Sequence, residues 1–138
     1  MAAPWPPPSA GCCSAWAATG DRKPTDPARR SLDLVIVGTG IRTVGQMTVE
    51  AMAWIEAADV VYHVVGDPVA QSLIRKLNPE GATSLSGLYA HGKDRMQTYT
   101  EMVAQILAAV RAGKLVVGAF YGHPGVFAYP SHESVRRA

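Results

Sequence analysis

Cysteine is nearly missing from this sequence. Its 138 residues hold two, Cys12 and Cys13, side by side near the start, and no thiol follows them. Neighbouring cysteines pair badly, and two alone make neither a disulfide framework nor a metal site. Redox and thiolate chemistry are therefore excluded from residues 32–138, and the thiol-poor composition suits the cytoplasm. A surplus of charge is missing as well. The formal net charge of +2 sits in residues 1–31, where Arg22, Lys23, Arg29 and Arg30 outnumber Asp21 and Asp26. The rest balances at nine basic and nine acidic residues, which leaves no electrostatic footprint for a nucleic acid. No run of eighteen apolar residues exists, so no membrane span is expected. What remains is 48% apolar and 17% charged, of a length that suits one globular domain.

Residues 1–31 carry six of the ten prolines, diluted with Ala, Ser and Gly. Such a composition buries too little apolar surface to offset the entropy of ordering, and a disordered extension is expected. Pro6 to Pro8 interrupt any signal-peptide core, and Arg29-Arg30 lead into Asp33 and a strand, not into an export signal. A mis-assigned start codon accounts for the extension equally well.

From Leu32 the pattern becomes regular. Leu32 to Val37 is a β-branched run closed by Gly38, the signature of a buried strand. Met47, Ala51, Met52 and Ile55 recur at helical spacing and predict one helix over 44–57. A second strand is predicted over 59–65, a helix from Pro68 to Leu77, and a weak strand over 82–85. The longest helix is expected over 93–112, with Met96, Tyr99, Val103, Ile106, Leu107 and Val110 on its apolar face and Gly113 as its stop. Leu115 to Tyr121 is a last buried strand, and a helix starts at Pro130–Ser131 with little length left to pack. Strands alternating with helices predict an α/β domain with a mostly parallel sheet and flanking helices. Ligands of such sheets bind beyond the carboxyl ends of the strands. The loops 38–45, 66–68 and 122–127 are therefore the places to look.

Each candidate has a plain structural alternative. Gly38-Thr39-Gly40 invites a dinucleotide reading, but Thr43 stands where the third glycine belongs, and a tight strand-to-helix turn explains the pair. Gly87 to Asp94 nearly spells a phosphate loop, yet Asp94 replaces the required Ser or Thr and sets a negative charge beside the phosphates, so nucleotide hydrolysis is rejected. His63, His91, His123 and His132 lack paired metal spacing; each is expected to be hydrogen-bonded or at the surface, with His123 in a ligand-facing loop. Arg95 and Tyr99 are four apart on one helix face, and Tyr89 on the preceding loop can fold over it. A guanidinium beside two phenols suits oxyanion stabilisation and proton transfer. The alternative is a core Tyr99 and a solvated Arg95. Gly122-His-Pro-Gly-Val-Phe127 is the most unusual stretch: its glycines permit close approach of a ligand, and Val126 and Phe127 offer a surface for a flat group.

These stretches together resemble the tetrapyrrole methylase family, whose members use S-adenosyl-L-methionine (SAM). The resemblance rests on LVIVGTGI, VGQMTVEAMAWIEAADVVY, LYAHGKDRMQTYTEMV and FYGHPGVF. Most members carry Pro-Gly-Asp in the first loop and Gly-Asp-Pro in the later one. The departures here, Gly38-Thr-Gly-Ile-Arg-Thr-Val-Gly45 and Gly122-His-Pro, resemble the borosin branch, which α-N-methylates peptide backbone amides. The likeness covers about residues 32–138 and corresponds to the N-terminal half of such a catalytic domain, a truncated first subdomain. It implies that Gly38 and Gly40 pass close to SAM and that Tyr121, Gly122, His123, Val126 and Phe127 line its pocket. It implies a catalytic set of Tyr89, Arg95 and Tyr99, with Ser86 standing where some members add a tyrosine, and no metal. The implied substrate is a peptide, either the enzyme's own C-terminal tail or a separate precursor, in the biosynthesis of ribosomally made peptides, and the implied assembly is a homodimer. The readings that compete are a tetrapyrrole C-methyltransferase and a non-catalytic remnant that associates with a partner.

Overall fold

The computed structural model describes residues 33–126 and 129–138; Cys12, Cys13 and the proline-rich extension lie outside them, as does Phe127. The elements are β1 (Leu34–Gly38), α1 (Thr43–Gln46), α2 (Val49–Ala57), β2 (Val60–Val64), α3 (Pro68–Leu77), β3 (Ala82–Ser84), a 3-10 turn (Ser86–Leu88), α4 (Arg95–Arg111), β4 (Val116–Phe120) and α5 (Tyr129–Arg137). All strand pairings are parallel, in the order β1-β4-β2-β3, with Leu34 beside Val116 and Val60 also beside Val116. β4 is buried at all five positions because it is apolar throughout and covered on both faces, which is why the last strand in sequence lies inside the sheet.

The pleat divides the core. On one face Val61, Val65, Val117 and Ala119 pack against Ala51 and Ile55 of α2 and Ala70 and Ile74 of α3. On the other, Val116 and Phe120 pack against Met102, Ile106 and Ala109 of α4. Burying each of these aliphatic side chains contributes about 1.5–3 kcal/mol. Asn78 locks the first face: its Nδ2 donates to the carbonyls of Ile55 and Ala58 at 2.9 and 2.8 Å, and its Oδ1 accepts from Gly81 N.

Three expectations need correction. The single helix over 44–57 is two, because Thr48 takes an extended conformation and its hydroxyl accepts from Ala51 N, starting a new helix. On α4, Val103, Ile106 and Leu107 are buried as expected, but Thr98, Met102 and Ala109 are buried beside them and Met96 in the first turn is exposed. α5 does pack: Pro130, Ser131 and Ser134 are buried, and it lies along α4.

Adjacent strands send their chains to opposite faces: β1 leads to α2 on one side, β4 to α5 on the other. The crevice between their carboxyl ends is where such a sheet places a ligand.

Candidate active site

Two loops meet in that crevice and are stitched by their backbones. Thr39 N donates to the Phe120 carbonyl at 2.9 Å, Gly40 N to Gly122 O at 3.3 Å, and Gly122 N to Gly40 O at 3.1 Å. A Cβ on Gly38 would stand 2.5 Å from Gly122 O and 2.7 Å from Pro124 Cδ. A Cβ on Gly40, where φ is +72°, would collide with the Gln46 side chain. The absent side chain of Gly38 thus lets the two loops close on each other, and that of Gly40 makes room for Gln46. Gly122 differs: φ is +73°, and nothing lies within 4 Å of where its Cβ would be. Its backbone faces open space.

Side chains complete the stitching. Gln46 Oε1 accepts from both Ile41 N and Arg42 N, at 2.8 and 2.9 Å. Ser131 of α5 donates to Pro124 O at 2.5 Å, and a ring nitrogen of His132, Nε2, lies 3.2 Å from Gly125 O. His123 is exposed, and its Nδ1 accepts from Gly125 N at 3.1 Å, which leaves the proton of the neutral ring on Nε2.

Three clefts open around these loops. One of about 890 Å³ is lined by Gly38, Gly40, Gln46, Gly122, His123 and Val126, among others, and runs along the outer side of β1 to Trp54. A second, of about 630 Å³, lies between Arg42 and Asp67. A third, of about 250 Å³, is walled by Tyr89, Tyr99, Met102, Phe120, Val126 and Pro130. Tyr121, half-exposed at the end of β4, lines all three.

Tyr89 and Tyr99 therefore share a wall with Tyr121 and Val126, which joins two members of each group that the sequence singled out; Arg95 is not among the lining residues. The Tyr99 ring is stacked on Tyr129 at 6.3 Å between centroids, so four of the five tyrosines gather here. Burial raises the Tyr89 phenol above its ordinary pKa, the neighbouring Tyr99 phenol raises it further, and the Arg95 guanidinium pulls it part of the way back. Arg95 opens α4 behind its Asp94 cap, is exposed, and makes no ion pair among the described residues. Tyr99 is half-buried, packing against the core of this face as well as walling the open cleft, and Arg95 is solvated, as the plain alternative expects.

The histidine expectation fails at one position. His63 in β2 is fully buried, and neither ring nitrogen has a hydrogen-bond partner among the described residues. Burial, with Arg75 nearby, lowers its pKa. Gln46, Ser131 and Tyr129 shape the site and were not singled out, while His132 is hydrogen-bonded at the surface as expected. The sidedness of α5, with Ser131 buried beside exposed His132, was the one local signal available for them.

The chain's relatives share this frame. The family model of the tetrapyrrole (corrin/porphyrin) methylases matches residues 33–137. Over 102 residues, 74% of this chain, it is 50% identical to a methyltransferase/ribosomally synthesized type I borosin cyclic peptide precursor from Coprinopsis marcescibilis. It is 48% identical over 102 residues to the corresponding dendrothelin A precursor from Dendrothele bispora. The chain spans about a quarter of the length of these curated relatives, 26% and 24% respectively. Among solved structures it resembles a cobalt precorrin-4 methyltransferase of cobalamin biosynthesis, with a TM-score of 0.54 and 28% identity, over 75% of this chain and 39% of that one. No described helix is long and apolar enough to cross a membrane. With the family model spanning nearly every described residue, the chain belongs to the tetrapyrrole (corrin/porphyrin) methylases.

Proposed function

We propose that residues 32–138 form the N-terminal α/β part of a SAM-dependent methyltransferase domain that acts on peptide backbone amides. The observation that carries this reading is the shared wall: Tyr121 belongs at once to the glycine-loop cleft and to the Tyr89–Tyr99 cleft. A cofactor and an acceptor held on either side of it would be neighbours. The larger cleft lies within the roughly 300–1,000 Å³ usual for small-molecule sites. The open space beside Gly122, where no atom lies within 4 Å of where a Cβ would be, leaves room for a ligand to approach the backbone, which supports a cofactor there. Gly38, Gly40, Tyr121, Gly122, His123 and Val126 would hold it there, with Phe127 next in sequence. When bound, SAM supplies a methyl group made electrophilic by its sulfonium.

The chain's own residues have the harder task, because an amide nitrogen delocalises its lone pair into the carbonyl and is a poor nucleophile. It becomes one when its proton is removed and the charge on its oxygen is stabilised. In this reading Arg95, exposed and free of an ion-pair partner among the described residues, holds that oxygen. Tyr89, with its pKa raised, keeps its proton and acts as a hydrogen-bond donor beside the guanidinium. Tyr99 would take the amide proton on its phenol oxygen as it passes its own hydroxyl proton to solvent in the open cleft.

The names of the relatives, which join a methyltransferase to a cyclic peptide precursor, support a peptide acceptor, whether a tail of the same polypeptide or a separate precursor. Pairing of two copies belongs to the same reading. The precorrin-4 methyltransferase likeness keeps a tetrapyrrole acceptor as the second reading. Incubation with SAM and either a precursor-like peptide or a uroporphyrinogen separates them by mass spectrometry. Methyl gain located on backbone amides is expected, and Arg95→Ala should slow it about 100-fold, the usual cost of losing an oxyanion donor. Methyl gain on the macrocycle alone would overturn the peptide reading.

A further inference from the structure

Gly92-Lys93-Asp94, the stretch that imitates a phosphate loop, has a different use here. Lys93 precedes the cap of α4, yet its side chain turns back and is largely covered. Its Nζ donates to the carbonyl of Leu88 at 3.0 Å and to Glu101 Oε2 at 2.5 Å. Glu101 stands two turns into α4, and its other oxygen accepts from Gln97 Nε2 at 3.4 Å. Leu88 immediately precedes Tyr89. One ammonium group therefore ties the loop that carries Tyr89 to the helix that carries Arg95 and Tyr99. Tyr89 and Tyr99 are otherwise ten residues apart on separate elements, and Tyr89 is half-exposed.

We propose that Lys93 is a positioning residue: its bond to Leu88 O, anchored on Glu101, sets Tyr89 against Arg95 and Tyr99. The proposal rests on the reading of those three side chains as the reacting set. Its test does not, because it needs neither cofactor nor acceptor. Ionic anchoring of this kind is stronger than a neutral hydrogen bond, and Arg in place of Lys keeps the charge and the donors.

The test is a titration of the chain labelled with carbon-13 at the tyrosine rings, with Tyr89 assigned through Tyr89→Phe. In the unaltered chain Tyr89 should ionise above the ordinary range of a phenol. Lys93→Met should return it to that range, since the loop carries the phenol away from Tyr99 and into water. Lys93→Arg should keep it raised. Loss of a nearby cation without movement acts in the opposite direction and raises the midpoint further. A midpoint that stays or rises in Lys93→Met therefore overturns the proposal. So does a change that spreads to Tyr62 in β2, which would mark general loosening in place of release of one loop. Failure of SAM binding would sink the functional reading and leave this result standing.

Discussion

The two sides of the site are built by different means. The side formed by Gly38–Gly40 and Gly122–Gly125 is held by main-chain hydrogen bonds between two strand ends, with Gln46, Ser131 and His132 bonding further main-chain atoms. The side formed by Tyr89, Arg95 and Tyr99 is held by side chains: a cap from Asp94, a clip from Lys93 and a stack on Tyr129. A pocket made of main chain tolerates few changes of shape and says little about which ligand it takes. A cluster of side chains on a loop and a helix turn can change its chemistry without touching the sheet. Binding and chemistry should therefore respond to different substitutions.

The largest break is expected at Gly38. A Cβ there meets a carbonyl oxygen of the opposite loop, and main chain cannot rotate aside. Gly38→Ala should lower unfolding stability by about 3 kcal/mol, the upper end of the cost of overpacking, measured by urea denaturation. Gly122→Ala sharpens the contrast. It meets open space and bears only the left-handed backbone penalty, so about 1–2 kcal/mol is expected in the same assay. Equal losses at the two positions would mean that loop closure is not what Gly38 serves.

A smaller effect separates the sheet from both sides of the site. His63 has a lowered pKa in the fold, so the unfolded chain binds the proton more readily. Stability should be level above the ordinary imidazole value of about 6.5 and fall as pH drops below it, with a slope of at most about 1.4 kcal/mol per unit. His63→Leu should flatten that acid limb while leaving the glycine-loop and tyrosine clefts unchanged. An unchanged limb would show that another group titrates there.

Much of this was legible in the sequence because it is local. The β-branched runs before Gly38 and after Leu115 mark β1 and β4, Asp67-Pro68 marks the start of α3, and four-residue spacing puts Arg95 and Tyr99 on one face. The family resemblance supplied the site residues as a set only as an expectation. What stayed hidden depends on partners distant in the chain. No local pattern says that β4 inserts between β1 and β2, that Asn78 bonds the end of α2, or that Ser131 holds Pro124. His63 reads as an ordinary strand histidine until the helix covering it is in place. Thr48 starts the second helix, a break that the apolar spacing across it, from Met47 to Ala51, concealed.

The central claim is that cofactor binding and chemistry lie on opposite sides of Tyr121. Calorimetric titration of SAM into the chain, into Tyr121→Ala and into Arg95→Ala tests it most directly. Saturable binding is predicted, weakened about tenfold in Tyr121→Ala, as loss of one aromatic contact of about 1.4 kcal/mol implies, and unchanged within about twofold in Arg95→Ala. No binding to the folded chain, or an equal loss in Arg95→Ala, would contradict it.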